Sequence, residues 1–386
     1  MTLSASRQSI TRSHTTAALA LGAVALLIPG VQPILLGDLV SRGEITLQGV
    51  GWVATSELFG LGLGVILGNL FLPATHARVV ALYTTLLVAL VDVATGRMQG
   101  DLAFTTVRAL AGIGEGVLLW VTTCLIVRSA APDRLANVFL VVQTVAQAGV
   151  AAIMAVFILS MGGWVAGFNT LALLHGLSLL LMPSLRQGFE PLRSETGSAL
   201  PAFSAVSVVS LLVAFAQMAS IGAIWAYLDP LGRAAGLTPK SVQILVATVL
   251  AAQLAGGGFA ALVLRRFPTV TMLTLSLLLQ TLFAALLASS ATAGPALFAG
   301  LSIAIGFLWL FSMPLHVRLA FHADPLGRVA MLIPAMQLLG VAFGPTFTSF
   351  YVVDDDVRAV PWISAALAAS GVLLLIIRYG RFRNLE

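Results

Sequence analysis

Runs of twenty or more mostly apolar residues recur from one end of this 386-residue chain to the other, and nothing else about it constrains the fold so strongly. A helix rises ~1.5 Å per residue, so ~20 residues cross the ~30 Å hydrocarbon core of a bilayer. Twelve such runs can be bounded by charges or by Pro and Gly clusters, which predicts an all-α membrane protein with twelve transmembrane helices. Composition agrees: with 59% apolar residues and only 20 basic and 15 acidic side chains, an ordinary water-facing surface cannot be built. The first run resembles a secretion signal, but its apolar stretch continues to Leu36 and eleven more follow, so it reads as a span.

The net charge of +5 carries no nucleic-acid signal, because the cations are scattered through short loops with no interleaved aromatics. Their distribution is topological. With the amino terminus inside, fourteen of the twenty basic residues fall on the inner side, against Arg42, Arg97, Arg233, Lys240 and Arg358 outside. Both termini are therefore expected in the cytoplasm, with the chain in a bacterial inner membrane. Cys124 lies in an apolar run and reads as packing; no disulfide framework or thiolate metal site is present in the sequence. No His, Cys, Asp or Glu cluster has metal-ligand spacing, and no nucleophile triad or phosphate loop appears, so neither catalysis nor a cofactor is expected.

The longest polar interval, PSLRQGFEPLRSETGSAL (Pro183 to Leu200), divides the spans six and six. It predicts an amino-terminal bundle over 1–183, a cytoplasmic linker over 184–202 and a carboxy-terminal bundle over 203–386. This organisation resembles the major facilitator superfamily over the whole chain. The resemblance implies two six-helix bundles that rock about a central cavity. A weak internal echo, GIGEGVLLWV on the fourth span against AIGFLWLF on the tenth, points the same way.

The fourth span, VRALAGIGEG, holds the most informative residues. Arg108 and Glu115 lie seven apart, on one face but ~10 Å apart along the axis, so no direct contact is expected. Ionic groups this deep normally face a partner or a water-filled cavity, and a central carboxyl there can trade its proton against local hydration or a bound anion. Arg108, Gly112 and Gly114 resemble the fourth-helix motif of proton-driven antiporters. With Leu110 and Glu115 they also resemble the R-G-L-V-G-V-G-E-A string of spinster-type lipid transporters. The resemblance implies that Arg108 and Glu115 form a proton-coupling pair, joined by Asp38 on the first span.

Glu57 shares a face of the second span with Gly60 and Gly64, so an ion pair with Arg108 is expected, with coupling and structural roles equally open. Asp92 reads as a solvated interfacial acid near Arg97, His175 as a hydrogen-bonded core histidine, and His316 and His322 as flanking an inner loop. The loop after the second span, GNLFLPATHAR, departs from the superfamily's G-x-L-x-D-R-x-G-R-R by carrying no acid. The charge lock of that loop is then absent or rebuilt elsewhere.

The second half keeps its ionisable groups to span ends and loops. Its candidate solute-binding residues are Gln217, Trp225, Tyr227, Trp309 and Met313, which suit an amphiphilic or ring-bearing solute; Trp225 and Tyr227 equally fit interfacial anchors. The expectation is a monomeric, proton-coupled exporter of a small organic solute, powered by the proton gradient. The alternatives are uptake of an organic anion held by Arg108, or a non-transporting sensor or assembly factor on the same fold.

Overall fold

The computed structural model describes residues 10–190, 204–264, 266–289, 294–324, 329–352 and 356–383. It is built from helices throughout, with no strand among the described residues. The first half contains α1 (Arg12–Ala25), α2 (Leu27–Ser41), α3 (Leu47–Phe71), α4 (Ala77–Thr95), α5 (Asp101–Val127), α6 (Pro132–Ile153) and α7 (Leu159–Ser178). The second contains α8 (Ala205–Ala226), α9 (Leu228–Ala234), α10 (Pro239–Val263), α11 (Thr269–Leu287), α12 (Pro295–Ala323), α13 (Ile333–Ser349) and α14 (Ala359–Arg383). Most of the expected linker, 191–202, lies outside the described residues.

Two departures from straight spans come from local chemistry. An unbroken apolar helical stretch runs over 51 residues, Arg134–Ser184. At ~1.5 Å per residue a helix of that length would extend more than twice the thickness of the hydrocarbon core, so it must turn back. It does so at Gly163, whose φ of 61° and ψ of −154° only glycine adopts without strain. This divides the stretch into the fifth and sixth crossings. The first span is broken at Leu26 (φ −102°, ψ 18°), and a like break at Tyr227 (φ −97°, ψ 14°) closes the seventh crossing, Ala205–Ala226. The breaks differ in depth: 15 residues of α2 follow Leu26, but only the 7 of α9 follow Tyr227, at the end of the seventh crossing.

A break in lipid frees backbone groups that must find partners. Gln147 on α6 donates its amide N–H to the Leu26 carbonyl at 2.5 Å, and Gly30 leaves room for its side chain. Pro33 lacks an N–H, so the Pro29 carbonyl has no partner within α2. The Trp225 indole donates to it from the other half at 2.7 Å.

Glycines let the helices meet backbone to backbone. On α3, Gly60 and Gly64 face the Ala109 and Ile113 carbonyls of α5, while Gly112 and Gly116 face those of Glu57 and Leu61. In the second half α10 and α12 repeat the device, Gly256 against Phe307 and Gly306 against Val249. The halves meet where α3 packs on α13 and α6 on α10.

Contacts across this seam gather toward the end opposite the chain termini, called here the far end. Thr55 donates to the Ala342 carbonyl at 2.6 Å and accepts from the Thr346 hydroxyl at 2.6 Å. Trp52 stacks edge-on to Phe350, and Gly51 admits the Pro345 carbonyl and the Tyr227 hydroxyl. At the other end, the loop without an acid is pinned inside its own half. Arg78 donates to the Leu185 and Pro183 carbonyls, and Arg128 to that of Glu190. Backbone carbonyls past the sixth span thus hold the cations that acids would otherwise hold.

Candidate functional site

The centre of the first half is an ionic cluster drawn from five helices. Arg108 on α5, with no solvent exposure, contacts Glu57 on α3, Asp92 on α4 at 2.7 Å and Glu115 on its own helix at 3.4 Å. Thr95 adds a longer bond at 3.4 Å, and the guanidinium lies 4.9 Å from the Phe168 ring centroid on α7. Asp92 turns its second oxygen to His175 on α7 at 2.8 Å, and Glu57 turns its second to Gln32 on α2 at 3.3 Å. Glu115 is different: its Oε2 is buried with no protein partner.

The glycine contacts explain how these groups meet. Because Gly112 sits on the Glu57 carbonyl, α3 and α5 approach so closely that the two acids flank one guanidinium. The expected separation of Arg108 and Glu115 is therefore corrected. Side chains of an α-helix lean toward its amino terminus, so Glu115 reaches back toward Arg108 and the long guanidinium closes the remaining gap. Asp92 is corrected too: it is fully buried and paired, where depth along the span pointed to a solvated acid. Span depth carries no information about which helix covers a residue, and Arg108 and His175 come from α5 and α7. His175 is a buried, hydrogen-bonded histidine, and its Nε2 has no protein partner. It belongs to this cluster, a connection the sequence reading missed.

Asp38 does not join the cluster. It lies at the far end of α2, where it accepts from Arg42 at 2.9 Å and from the Trp164 backbone N–H at 2.7 Å. That N–H is exposed by the left-handed turn at Gly163. Asp38 thus satisfies the start of the sixth crossing.

The second half presents no such charges at its centre. Gln217 on α8 donates to Ser276 at 3.0 Å, and its carbonyl oxygen lies 3.0 Å from His316 Nε2. Gln337 donates to His316 Nδ1 at 3.2 Å, which makes Nε2 the protonated nitrogen of a neutral imidazole. His316 and His322 sit on α12, which runs on to Ala323, so they do not flank a loop. Met313, half-buried, offers its carbonyl to Gln337 at 3.1 Å.

Trp225 and Trp309 meet edge to face at 5.6 Å, beside a small void reached by Ser302. Trp225 is buried in the seam, its indole bonded to the Pro29 carbonyl of the other half, and is not an interfacial anchor. Tyr227 is likewise fully buried at the break. Among the described residues no three His, Cys, Asp or Glu side chains are arranged to hold a metal ion.

No family profile matches the chain, and no curated protein matches it in sequence. Solved structures match it along nearly its whole length. The nucleoside transporter NupG aligns at a TM-score of 0.75 and 12% identity, over 96% of this chain and 99% of that one. A D-xylose-proton symporter aligns at 0.74 and 16%, over 94% and 96%. A bacterial homologue of the human lysosomal transporter Spinster, in an inward-facing conformation, aligns at 0.64 and 13%, over 98% of each. The chain has the major facilitator fold. Within that fold, α3 and α5 are a glycine-paired couple that bears Glu57, Arg108 and Glu115, and α10 and α12 are another, with α12 bearing His316 of the neutral network.

Proposed function

We propose that this chain is a proton-coupled secondary transporter that exports a small amphiphilic or ring-bearing solute from the bacterial cytoplasm, working as a monomer. The reading rests on one observation: three buried carboxylates share one guanidinium, and Glu115 alone among them has an oxygen with no protein partner. Three carboxylates against one guanidinium leave an excess of two negatives in a medium where unpaired charge is expensive. A proton on Glu115 removes one of them and gives its free oxygen a hydrogen. Glu115 is then the proton carrier, Arg108 its counter-charge, and Glu57 and Asp92 the acids that hold Arg108 in place.

The solute wall is assigned to the second half, with Trp309 and Met313 the more accessible residues and Trp225 and Gln217 behind them. Neutral amides and aromatic faces suit a ring-bearing solute, in keeping with a nucleoside and a pentose among the cargoes of the structural neighbours. The anion-uptake reading is weaker, because Arg108 is enclosed and engaged by three acids. The bias of basic residues toward the end that carries the termini supports a cytoplasmic position for that end, with the far end outside.

The test is reconstitution into liposomes and measurement of solute-driven proton flux, starting from a panel containing a nucleoside and D-xylose. Glu115→Gln is expected to abolish proton movement while solute still exchanges. Unchanged proton flux removes Glu115 from the mechanism. Accumulation of solute on the alkaline side of an imposed gradient reverses the direction assigned here. A panel that never crosses faster than in protein-free vesicles favours the sensor reading.

A further inference from the structure

The broken first helices of the two halves end alike. Each ends in an acid and an arginine four residues on, Asp38 with Arg42 at the C-cap of α2 and Asp229 with Arg233 on α9. Each acid bonds its own arginine, at 2.9 Å and 2.5 Å. They differ in what else they meet. Asp38 also holds the Trp164 N–H and keeps 13% side-chain exposure, whereas Asp229 keeps 2%. Asp229 is pressed across the seam onto Gly37, where even a Cβ would overlap its carboxyl group. Gly37 is the neighbour of Asp38, so closing the far end brings a carboxyl of one half, stripped of water, up to a carboxylate of the other. Separating the halves rehydrates it.

We propose that Asp229 is a second proton-binding site and that its proton closes the far end, a role that rests on the alternation of the two halves proposed above. Asp229 lies in α9, beyond the apolar crossing Ala205–Ala226. Burial, reinforced by Asp38 and offset in part by Arg233, pushes its carboxyl up to about 6 in this closed arrangement. A hydrated aspartate titrates near ~3.9. The closed form therefore binds the proton more tightly, so closure is favoured as pH falls through about 6 and opposed above it. Linkage with these two values makes the closed-to-open ratio rise about tenfold between pH 7.5 and 5. The charged groups that act on Asp229 are Arg233 on its own helix and Asp38 on α2, itself paired with Arg42; α12 faces α9 with Phe298. A proton arriving from outside would thus shut the door behind it, independently of the central cluster.

The experiment is a distance measurement between spin labels at Leu102→Cys and Lys240→Cys, in a Cys124→Ala background in nanodiscs, with no solute present. In the otherwise unaltered protein the short-distance population should grow about tenfold relative to the long one from pH 7.5 to 5. Asp229→Asn should be closed at both values. Gly37→Ala, which sets a methyl against the carboxyl, should populate the open form at both. A single distance at every pH, an Asp229→Asn protein that keeps the parental response, or a Gly37→Ala protein that closes normally at pH 5 each overturns the proposal. Glu115→Gln in the same background should keep the pH response, so a failure of the central coupling shows only in the flux assay and a failure of this site only in the distances.

Discussion

At equivalent places on the fourth and tenth spans, α5 carries Arg108 and Glu115, and α12 carries Trp309, Met313 and His316. Both helices sit on a glycine-bearing neighbour, α3 for one and α10 for the other, with carbonyls filling the space where side chains would be. The scaffold repeats while the chemistry does not. At its centre the first half buries four charges that compensate one another imperfectly; the centre of the second buries amides, hydroxyls and one neutral imidazole whose hydrogen bonds close on each other. At the centre of the molecule, charge that can be altered by one proton belongs to the first half and a neutral surface to the second; Asp229, at the far end, lies outside this contrast. A coupled transporter needs that separation if binding solute and binding protons are to be distinct events joined by one conformational change.

The contrast is broken most severely by removing its only central cation. Arg108→Ala leaves Glu57, Asp92 and Glu115 facing one another without a counter-charge, which should cost about 3–5 kcal/mol of stability. Thermal unfolding in detergent checks this, and adding Glu57→Gln and Asp92→Asn should recover most of the loss. A single variant that melts with the parent would show the cluster to be hydrated and the two halves less different than described.

Much of this architecture is legible in the amino-acid order. The spans and the depth of Arg108, Glu115 and Glu57 follow from hydrophobic length and the expense of buried charge. Partners on other helices do not follow. Asp92 and His175 were separable only as individual residues, because what unites them is the packing of α4 and α7 around Arg108. The hint lay in the absence of any lone charge able to balance three acids. Asp38 shows the opposite limit: its resemblance to a coupling acid hid its bond to the Trp164 N–H, which exists only because Gly163 turns the chain back. The charge lock missing from the loop after the second span is rebuilt from backbone carbonyls, which no side-chain motif can reveal.

If the scaffold is common to both halves, equal injuries should have equal effects. A methyl group at Gly64 would strike the Ile113 carbonyl, and one at Gly256 the Phe307 carbonyl. Gly64→Ala and Gly256→Ala should each lose about 1–3 kcal/mol by overpacking. Gly258→Ala, with nothing near the new methyl, should lose none and gain slightly from helix propensity. A large loss at Gly64 with none at Gly256 would mean that only the charged half depends on close helix approach.

The smallest expected effect is also the most discriminating. Gln217→Met keeps the side-chain volume but removes the donor to Ser276 and the acceptor facing His316, leaving the imidazole N–H unsatisfied. A lost neutral hydrogen bond of this kind is worth about 1–2 kcal/mol, which thermal unfolding can resolve. Because no charge changes, the number of protons moved per solute should stay the same even where the transport rate falls. Glu115→Gln should do the reverse, sparing stability and uncoupling the protons. If Gln217→Met altered the proton-to-solute ratio, His316 would have to be exchanging protons, and the neutral half would be part of the coupling machinery after all.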